Sequence, residues 1–580
     1  MLRPPRSGFQ LTPVDHPRGA ELSGGTLLLA EAGALAVVSD ADLEALFVVD
    51  LAARAVRGSV ALPAGSRPGR MALDGAGVLH VVLRGSGAVA CVSLERHELL
   101  STHPVCGDPR GIVWDAPAGV MRVACGSGHL AELTPAGEVT ITRALPDLRD
   151  VLLTPSGLRF TTFRGARVMA LDMTGGPPLA AQLTEGPLNV SWAAQVAWRT
   201  EVTTNGTVVM AHQRAVDGPV EGLQPRPFGF DGGTSGPAYG SGPEGAGGGS
   251  PTGNCTSPVV RSAVTFMPSV GNETSVELFG TLPVDLAISP DQREVAVALA
   301  GSSRVEVVPV GAGSSSVSRC MRQGGISIPL EGSPVGVAYQ PDGSLVVHYG
   351  RPRSAIQIFR NGVSTGPSLL LSQTTVRDPG RDFFHMPLNG LACASCHPEG
   401  RDDGHVWSVA GTRRRTQSLA AGLLETAPFH WQGELKDLKA VIGETFVLRM
   451  GGEMPDDDVV NEVAHWVQGV PRPAPTAGMT AAERTQIEEG EALFRSTGCT
   501  SCHAGPAFSA PGNFDVGTGG EFQVPTLRGV GARGPWMHDG TAATLRERFL
   551  WFGGGDRHGL TSQLSDAQLD ALTAYLGSLQ

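Results

Sequence analysis

Lysine is almost missing from this 580-residue chain: the only two are Lys436 and Lys439, and arginine supplies the rest of the basic charge. With 44 basic against 56 acidic residues, the formal net charge is −12. Recognition of a phosphate backbone needs concentrated positive charge, so nucleic acid is excluded as a partner. Aromatic residues make up 5% and charged residues 17%, while Gly (78) and Pro (43) are abundant. That mix favours many short strands joined by turns over a helical array.

Long apolar runs are lacking too. None reaches the roughly 18 residues that would cross a bilayer as a helix. The opening MLRPPRSGFQLTPVDHPRGAELSGG holds no apolar stretch of about 7–15 residues, so no secretory leader is visible. Neither a P-loop nor a GxSxG hydrolase elbow occurs.

What is present first is repetition. Strand-like runs such as LAVVSDADLEALFVVDL, LHVVLRGSGAVACVSL, VMRVACGSGHLAEL and EVAVALAGSSRVEVVPV begin roughly 40–50 residues apart, the period of a four-stranded propeller blade. Turn phrases TPSG, SPDQ and QPDG fall between them. Seven such units fit residues 20–375, after an N-terminal extension at 1–19. A Gly/Pro/Ser-rich insertion at 218–256 interrupts the fifth unit and reads as a loop. A pair of β-sandwiches is the competing architecture.

After residue 375 the alternation stops and helical patterns begin. AAERTQIEEGEALFRS has Thr480 and Glu483 placed as a capping box, and SDAQLDALTAYLGSL starts at Ser565 and Asp566. PRPAPTAG separates the two halves, giving helical domains at 376–472 and 480–580 around a linker at 473–479.

Each half contains a CxxCH pentapeptide. Cys393, Cys396 and His397 form CASCH; Cys499, Cys502 and His503 form CTSCH, 106 residues later. This pattern attaches c-type haem: the two thiols add to the vinyl groups and the histidine coordinates iron. Two copies at this spacing argue for two covalently attached haem c groups rather than a zinc half-site. Flanking segments repeat as well: GRDFF and GEALF precede the motifs, and APFHWQGELKDL parallels GPWMHDGTAATL downstream.

These segments resemble the di-haem cytochrome c peroxidase and MauG family over residues 376–580, most specifically in VPTLRGVGARGPWMHDGTAATL. The propeller repeats resemble the YVTN type in period only. The cytochrome resemblance implies two all-α cytochrome c folds, a Ca2+ site in many members, hydrogen peroxide as oxidant, a redox partner protein, and a periplasmic or cell-surface location. Since no leader is visible, the expectation is an incomplete N-terminus.

The internal repeat suggests the sixth ligands. Twenty residues past His538 lies His558, and twenty past His430 lies Met450; imidazole and thioether are the usual partners of cytochrome iron. The resemblance gives the same loop, LRMGGEMPDDD, another use. Trp431 matches a tryptophan between the haems, and Glu453 an acid that moves a proton on bound peroxide. Met450 on iron and Glu453 as catalyst exclude each other in a resting state, and the residues alone leave both open. A solvated loop is the bland reading of Glu453, and core packing that of Met450. Further expectations are Arg413–Arg415 as partners of haem propionates or an exposed turn, and His405 as a minor ligand candidate. A Cys255–Cys320 disulfide is a weaker expectation, and Cys91, Cys106 and Cys125 read as buried thiols.

Overall fold

The computed structural model describes residues 12–144, 146–170, 179–181, 192–220, 258–312, 325–409, 411–472 and 480–579. Most of the expected 218–256 insertion, the Cys255–Cys320 pair and the 473–479 linker lie outside these residues.

The N-terminal region forms seven successive antiparallel sheets, each of four consecutive main strands, with extra short pairings at the last. Their first strands are Leu27–Ala30, Pro68–Leu73, Pro109–Asp115, Leu148–Thr154, Trp192–Val202, Pro283–Ile288 and Ser333–Tyr339. Each touches the next in order, and the seventh touches the first. The Gly25 N–H and the Thr26 hydroxyl donate to the Val335 carbonyl at 3.1 and 3.0 Å, closing the ring.

Burial explains the run pattern. The second strand of the first sheet, Leu35–Asp40, is buried at every residue, whereas the fourth strand of the second sheet, Glu98–Pro104, has no buried residue. Inner strands are covered by sheets on both faces and read as continuous apolar runs; outer strands keep one face in water and alternate. Apolar contacts form between neighbouring sheets, as where Leu27, Val38 and Val49 of the first meet Val346 and Ile356 of the last. The result is propeller-like; the two-sandwich alternative does not give a closed ring of first strands. Cys106 and Cys125 form a disulfide, correcting their reading as thiols, while Cys91 stays a buried thiol.

The C-terminal region is mainly helical, with two short hairpins, Val406–Val409 with Thr412–Arg415 and Asn513–Asp515 with Glu521–Gln523. These correct the all-α expectation locally. One hairpin is recruited by the propeller, where Pro219–Val220 adds a parallel strand to Ser408–Val409.

The two helical units repeat in three dimensions. Gly380 in helix Pro379–His385 abuts the Glu462 carbonyl of helix Asp457–Gln468, and Gly490 in helix Ala481–Ser496 abuts the Ala571 carbonyl of helix Asp566–Ser578. A methyl group at either glycine would lie 2.0 Å from that oxygen, so only glycine permits the approach. Four residues on, Phe384 meets Trp466 and Phe494 meets Tyr575. The Thr480–Glu483 capping box forms, and Ser565 caps its helix with Gln568. Asp456 caps helix Asp457–Gln468 by accepting from Val459 N–H at 2.9 Å, which gives the acidic run a structural use.

Candidate haem-binding site

Both CxxCH motifs line one cavity of about 820 Å3 between the helical units. In the first unit Cys393–Cys396 is a single helical turn, and the Ser395 hydroxyl accepts from Ala392 N–H at 3.1 Å. Burial pushes the Cys393 thiol up to about 11. Among the described residues, all four motif cysteines are outside disulfides.

Each motif histidine has one ring nitrogen assigned. Nδ1 of His397 lies 3.0 Å from the Arg401 carbonyl, and Nδ1 of His503 lies 3.0 Å from that of Phe508. A carbonyl only accepts, so Nδ1 carries the hydrogen and Nε2 keeps its lone pair for a metal. Burial lowers the His397 pKa and brings that of His503 down to about 4, holding both rings neutral, as ligation requires.

His558, at the end of the short helix Gly555–His558, also lines the cavity. Its Nδ1 is 3.1 Å from the Gly553 carbonyl, and burial lowers its pKa to about 3. The His503 and His558 rings are 6.5 Å apart at their centres, with planes inclined by 32°. Metal–imidazole bonds are about 2.0–2.1 Å, so two histidines on opposite sides of one ion have ring centres on the order of 6 Å apart. The pair fits one iron.

Met450 is buried and lines the cavity at the first motif. It follows the π-helical turn Gly443–Arg449, where Met450 N–H donates to the Thr445 carbonyl at 3.0 Å; such wide turns often occur at functional positions. Asn389 Nδ2 donates to the Met450 carbonyl at 2.9 Å and fixes the loop. Glu453 is exposed and outside the cavity lining, as is Met454.

The internal alignment shifts by one residue. The bridge Phe429–Leu435 matches Trp536–Ala542, and the positive-φ residues His430 and Met537 follow their first strands identically. Trp431 is therefore the counterpart of His538, and Met450 sits opposite Arg557, one residue short of His558. Trp431 and His538 meet in the interface, ring centres 6.3 Å apart. Around them, Arg415 N–H donates to the His538 carbonyl and Gln523 N–H to the Trp431 carbonyl, both at 2.8 Å. The Trp431 indole N–H donates to the Arg415 carbonyl at 2.7 Å, and His538 stacks on Phe522. His430 lines the cavity with Nδ1 2.9 Å from Glu434.

Arginines show what charge this cavity suits. Arg414, Arg415, Arg533 and Arg548 all line the cavity, and each has one buried guanidinium nitrogen with no hydrogen-bond partner among the described residues. Burial, then the neighbouring Arg415 charge, lowers Arg533 to about 10. Arg415 is already paired with Asp402 at 2.9 Å, but an unsatisfied buried N–H on each arginine calls for a further acceptor, and haem propionates are carboxylates that could supply it. The residues present thus fit haem c. Arg533 and Arg548 were missed in the sequence, although the quoted VPTLRGVGARG segment contains the first.

His405 is used elsewhere: its ring nitrogens lie 3.0 Å from the Gln195 side-chain amide and 3.0 Å from the Val216 carbonyl, both propeller groups. Among the described residues no cluster of three or more His, Cys, Asp or Glu side chains is arranged to hold a metal ion, so no Ca2+ site is assigned.

Comparison with known proteins identifies a cytochrome c region at this end of the chain. The cytochrome c family profile matches residues 487–580. A cytochrome c551 peroxidase of Nitrosomonas europaea is 33% identical over 253 residues, covering 33% of this chain and 74% of that protein. The hydrazine synthase subunit gamma of Kuenenia stuttgartiensis is 26% identical over 258 residues, covering 32% and 72%. A solved hydrazine synthase chain aligns with 60% of this chain and 98% of its own at 16% identity and TM-score 0.44, too low to carry an argument. Covalent haem c and haem-based redox function follow for the C-terminal region, and through it the chain belongs to the cytochrome c peroxidase family.

Proposed function

We propose that this protein is a di-haem c-type oxidoreductase working with hydrogen peroxide and a redox partner protein, its haem module seated on a seven-bladed propeller. The observation that carries it is one cavity lined by both CxxCH motifs, with Trp431 and His538 in contact at the seam between the units.

Haem supplies one-electron redox chemistry when bound. Cys393, Cys396, Cys499 and Cys502 form the thioether links; His397 and His503 offer Nε2 to the irons. Met450 and His558, which line the same cavity, would be the further ligands. Arg414, Arg415, Arg533 and Arg548 neutralise propionates. Trp431, held by its bond to the Arg415 carbonyl, is the conduit between the two halves.

Glu453 is the proton-handling acid only in a second arrangement of its loop. Met450 lines the cavity and Glu453 lies in solvent, so Glu453 would reach a peroxide bound at the first haem only after this loop rearranged. If it stays closed, the protein is an electron carrier with both irons six-coordinate, a reading favoured by Met450 and His558 both lining the cavity. Covalent haem attachment and the Cys106–Cys125 disulfide support a periplasmic or cell-surface location.

Electron paramagnetic resonance and peroxide consumption separate these readings. A high-spin ferric component together with turnover of hydrogen peroxide supports the peroxidase. Two low-spin haems in every redox state, without turnover, leave only the carrier.

A further inference from the structure

The loop after the first CxxCH motif plugs into the propeller. Glu399, two residues past His397, is fully buried. One carboxylate oxygen accepts from Arg149 Nη1 at 2.7 Å and Arg84 Nη1 at 3.0 Å, and the other from Arg84 Nη2 at 2.7 Å. Both arginines belong to the propeller. Neighbouring bonds cross the same seam: Gln213 Nε2 donates to the Ser395 carbonyl at 2.7 Å, and Arg164 Nη1 to Asp402 at 3.1 Å. Residues 395–402 are thus held by three propeller arginines and a glutamine, and this segment includes Arg401, whose carbonyl orients the His397 ring.

The second motif supplies the contrast. Glu399 has φ 55°, a left-handed conformation that disfavours side chains, and the corresponding residue after His503 is Gly505 with φ 65°. Where only backbone geometry matters, glycine is the residue that fits. A glutamate in this conformation, buried, needs compensation by specific partners, and here the partners are propeller arginines. At Gly505 nothing lies within 4 Å of an added Cβ, so the second loop has no equivalent anchor there.

We infer that Glu399 is a positioning residue for the first haem site: through it the propeller holds the His397 loop and sets the orientation and basicity of that imidazole. The propeller is then part of the redox centre, not a detachable platform. The inference rests on the proposed two-haem reading. A carboxylate balancing Arg84 and Arg149 two residues from His397 would stabilise the oxidised state of a haem bound there, as would a firm His397–Arg401 hydrogen bond. Loss of Glu399 weakens both effects in one direction.

The test compares the full-length holoprotein with E399Q, E399G and R381M. Arg381 also crosses the seam, pairing with Asp42, but from helix Pro379–His385, outside the 395–402 segment. Haem content by pyridine haemochromogen and intact mass comes first: one haem per chain sinks the two-haem reading independently of the clamp. With two haems, spectroelectrochemistry of E399Q and E399G is expected to show one midpoint potential raised and the other unmoved. Amide exchange at Gly400, Arg401 and Asp403 is expected to quicken at least about tenfold, and R381M to leave both potentials in place. Unmoved potentials in the Glu399 variants, or an equal shift in R381M, overturn the inference. Should E399G fail to accumulate, E399Q, which keeps the side-chain shape, decides alone.

Discussion

His503 and His558, 55 residues apart in sequence, bring their imidazoles to a centre-to-centre distance of 6.5 Å, each with Nδ1 tied to a backbone carbonyl. The arrangement leaves the Nε2 atom of each ring free of the backbone, and the proposed reading gives both to one iron. His558→Ala is therefore expected to convert one haem from low to high spin, read by absorption and electron paramagnetic resonance. His558→Met is expected to keep it low-spin and raise its potential.

Met450→Ala is expected to open the other iron and produce a second, separate high-spin signal. Because Met450 is only 5% exposed, the truncation also leaves a cavity costing about 2–5 kcal/mol, visible by calorimetry. An unchanged spectrum with lowered stability would reduce Met450 to a packing residue.

Trp431→Phe removes the indole N–H that the Arg415 carbonyl accepts, a loss of about 1 kcal/mol in stability. Haem content and spin state are expected to hold. Peroxide turnover with a reduced donor is expected to fall at least about tenfold, a barrier change of about 1.4 kcal/mol.

Arg164 bridges the propeller's Asp147 and the haem unit's Asp402, all three side chains being at most 11% exposed. Arg164→Met leaves Asp147 paired with Arg110 and Asp402 with Arg415, each at 2.9 Å, so the loss is expected to stay below the about 3–5 kcal/mol typical of a buried pair broken from one side. Thermal unfolding is expected to shift accordingly. A double variant with Asp402→Asn is expected to lose further stability, because buried Arg415 then lacks its carboxylate partner.

The N-terminal segment ahead of the propeller docks on helix Asp457–Gln468, where His16 Nε2 lies 2.7 Å from Glu462. Burial opposes charge on His16, but hydrogen bonds to the Pro17 carbonyl and Glu462, with the Glu462 and Asp378 fields, outweigh it and raise the pKa. A pKa raised by folding stabilises the docked segment fully below the unfolded value of about 6.5 and loses that contribution as pH rises through the folded value. Exchange of the Thr12 and Gly19 amides, which donate to Asn461 and Asp378, is expected to speed up, beyond the intrinsic pH effect, above neutrality. His16→Ala is expected to remove that excess pH dependence.

Much of this was legible in one dimension, because its causes are local or periodic. The CxxCH pentapeptides carry their own chemistry, capping residues such as Thr480 act within one turn, and strands buried on both faces must read as apolar runs at the blade period. The internal repeat also located the loop of Met450, although its register was one residue off. Only the fold could show that Phe429 and Trp536 begin equivalent bridges and so pair Trp431 with His538.

Other features rest on contacts between residues hundreds of positions apart, for which a sequence has no local sign. That Met450 lies inside the cavity while Glu453 lies in solvent depends on a π-helical turn, a small change in winding that moves neighbouring side chains to opposite sides. That Cys106 finds Cys125 depends on their strands meeting. That Glu399 is fully buried, rather than a solvated acid, depends on Arg84 and Arg149 converging from different sheets. The sequence by itself determined that this protein carries haem chemistry on a repeating β scaffold, since covalent motifs and hydrophobic period are written along the chain. The tertiary structure decided which side chains line the cavity and what holds them there, because burial and charge pairing exist only once distant segments share one volume.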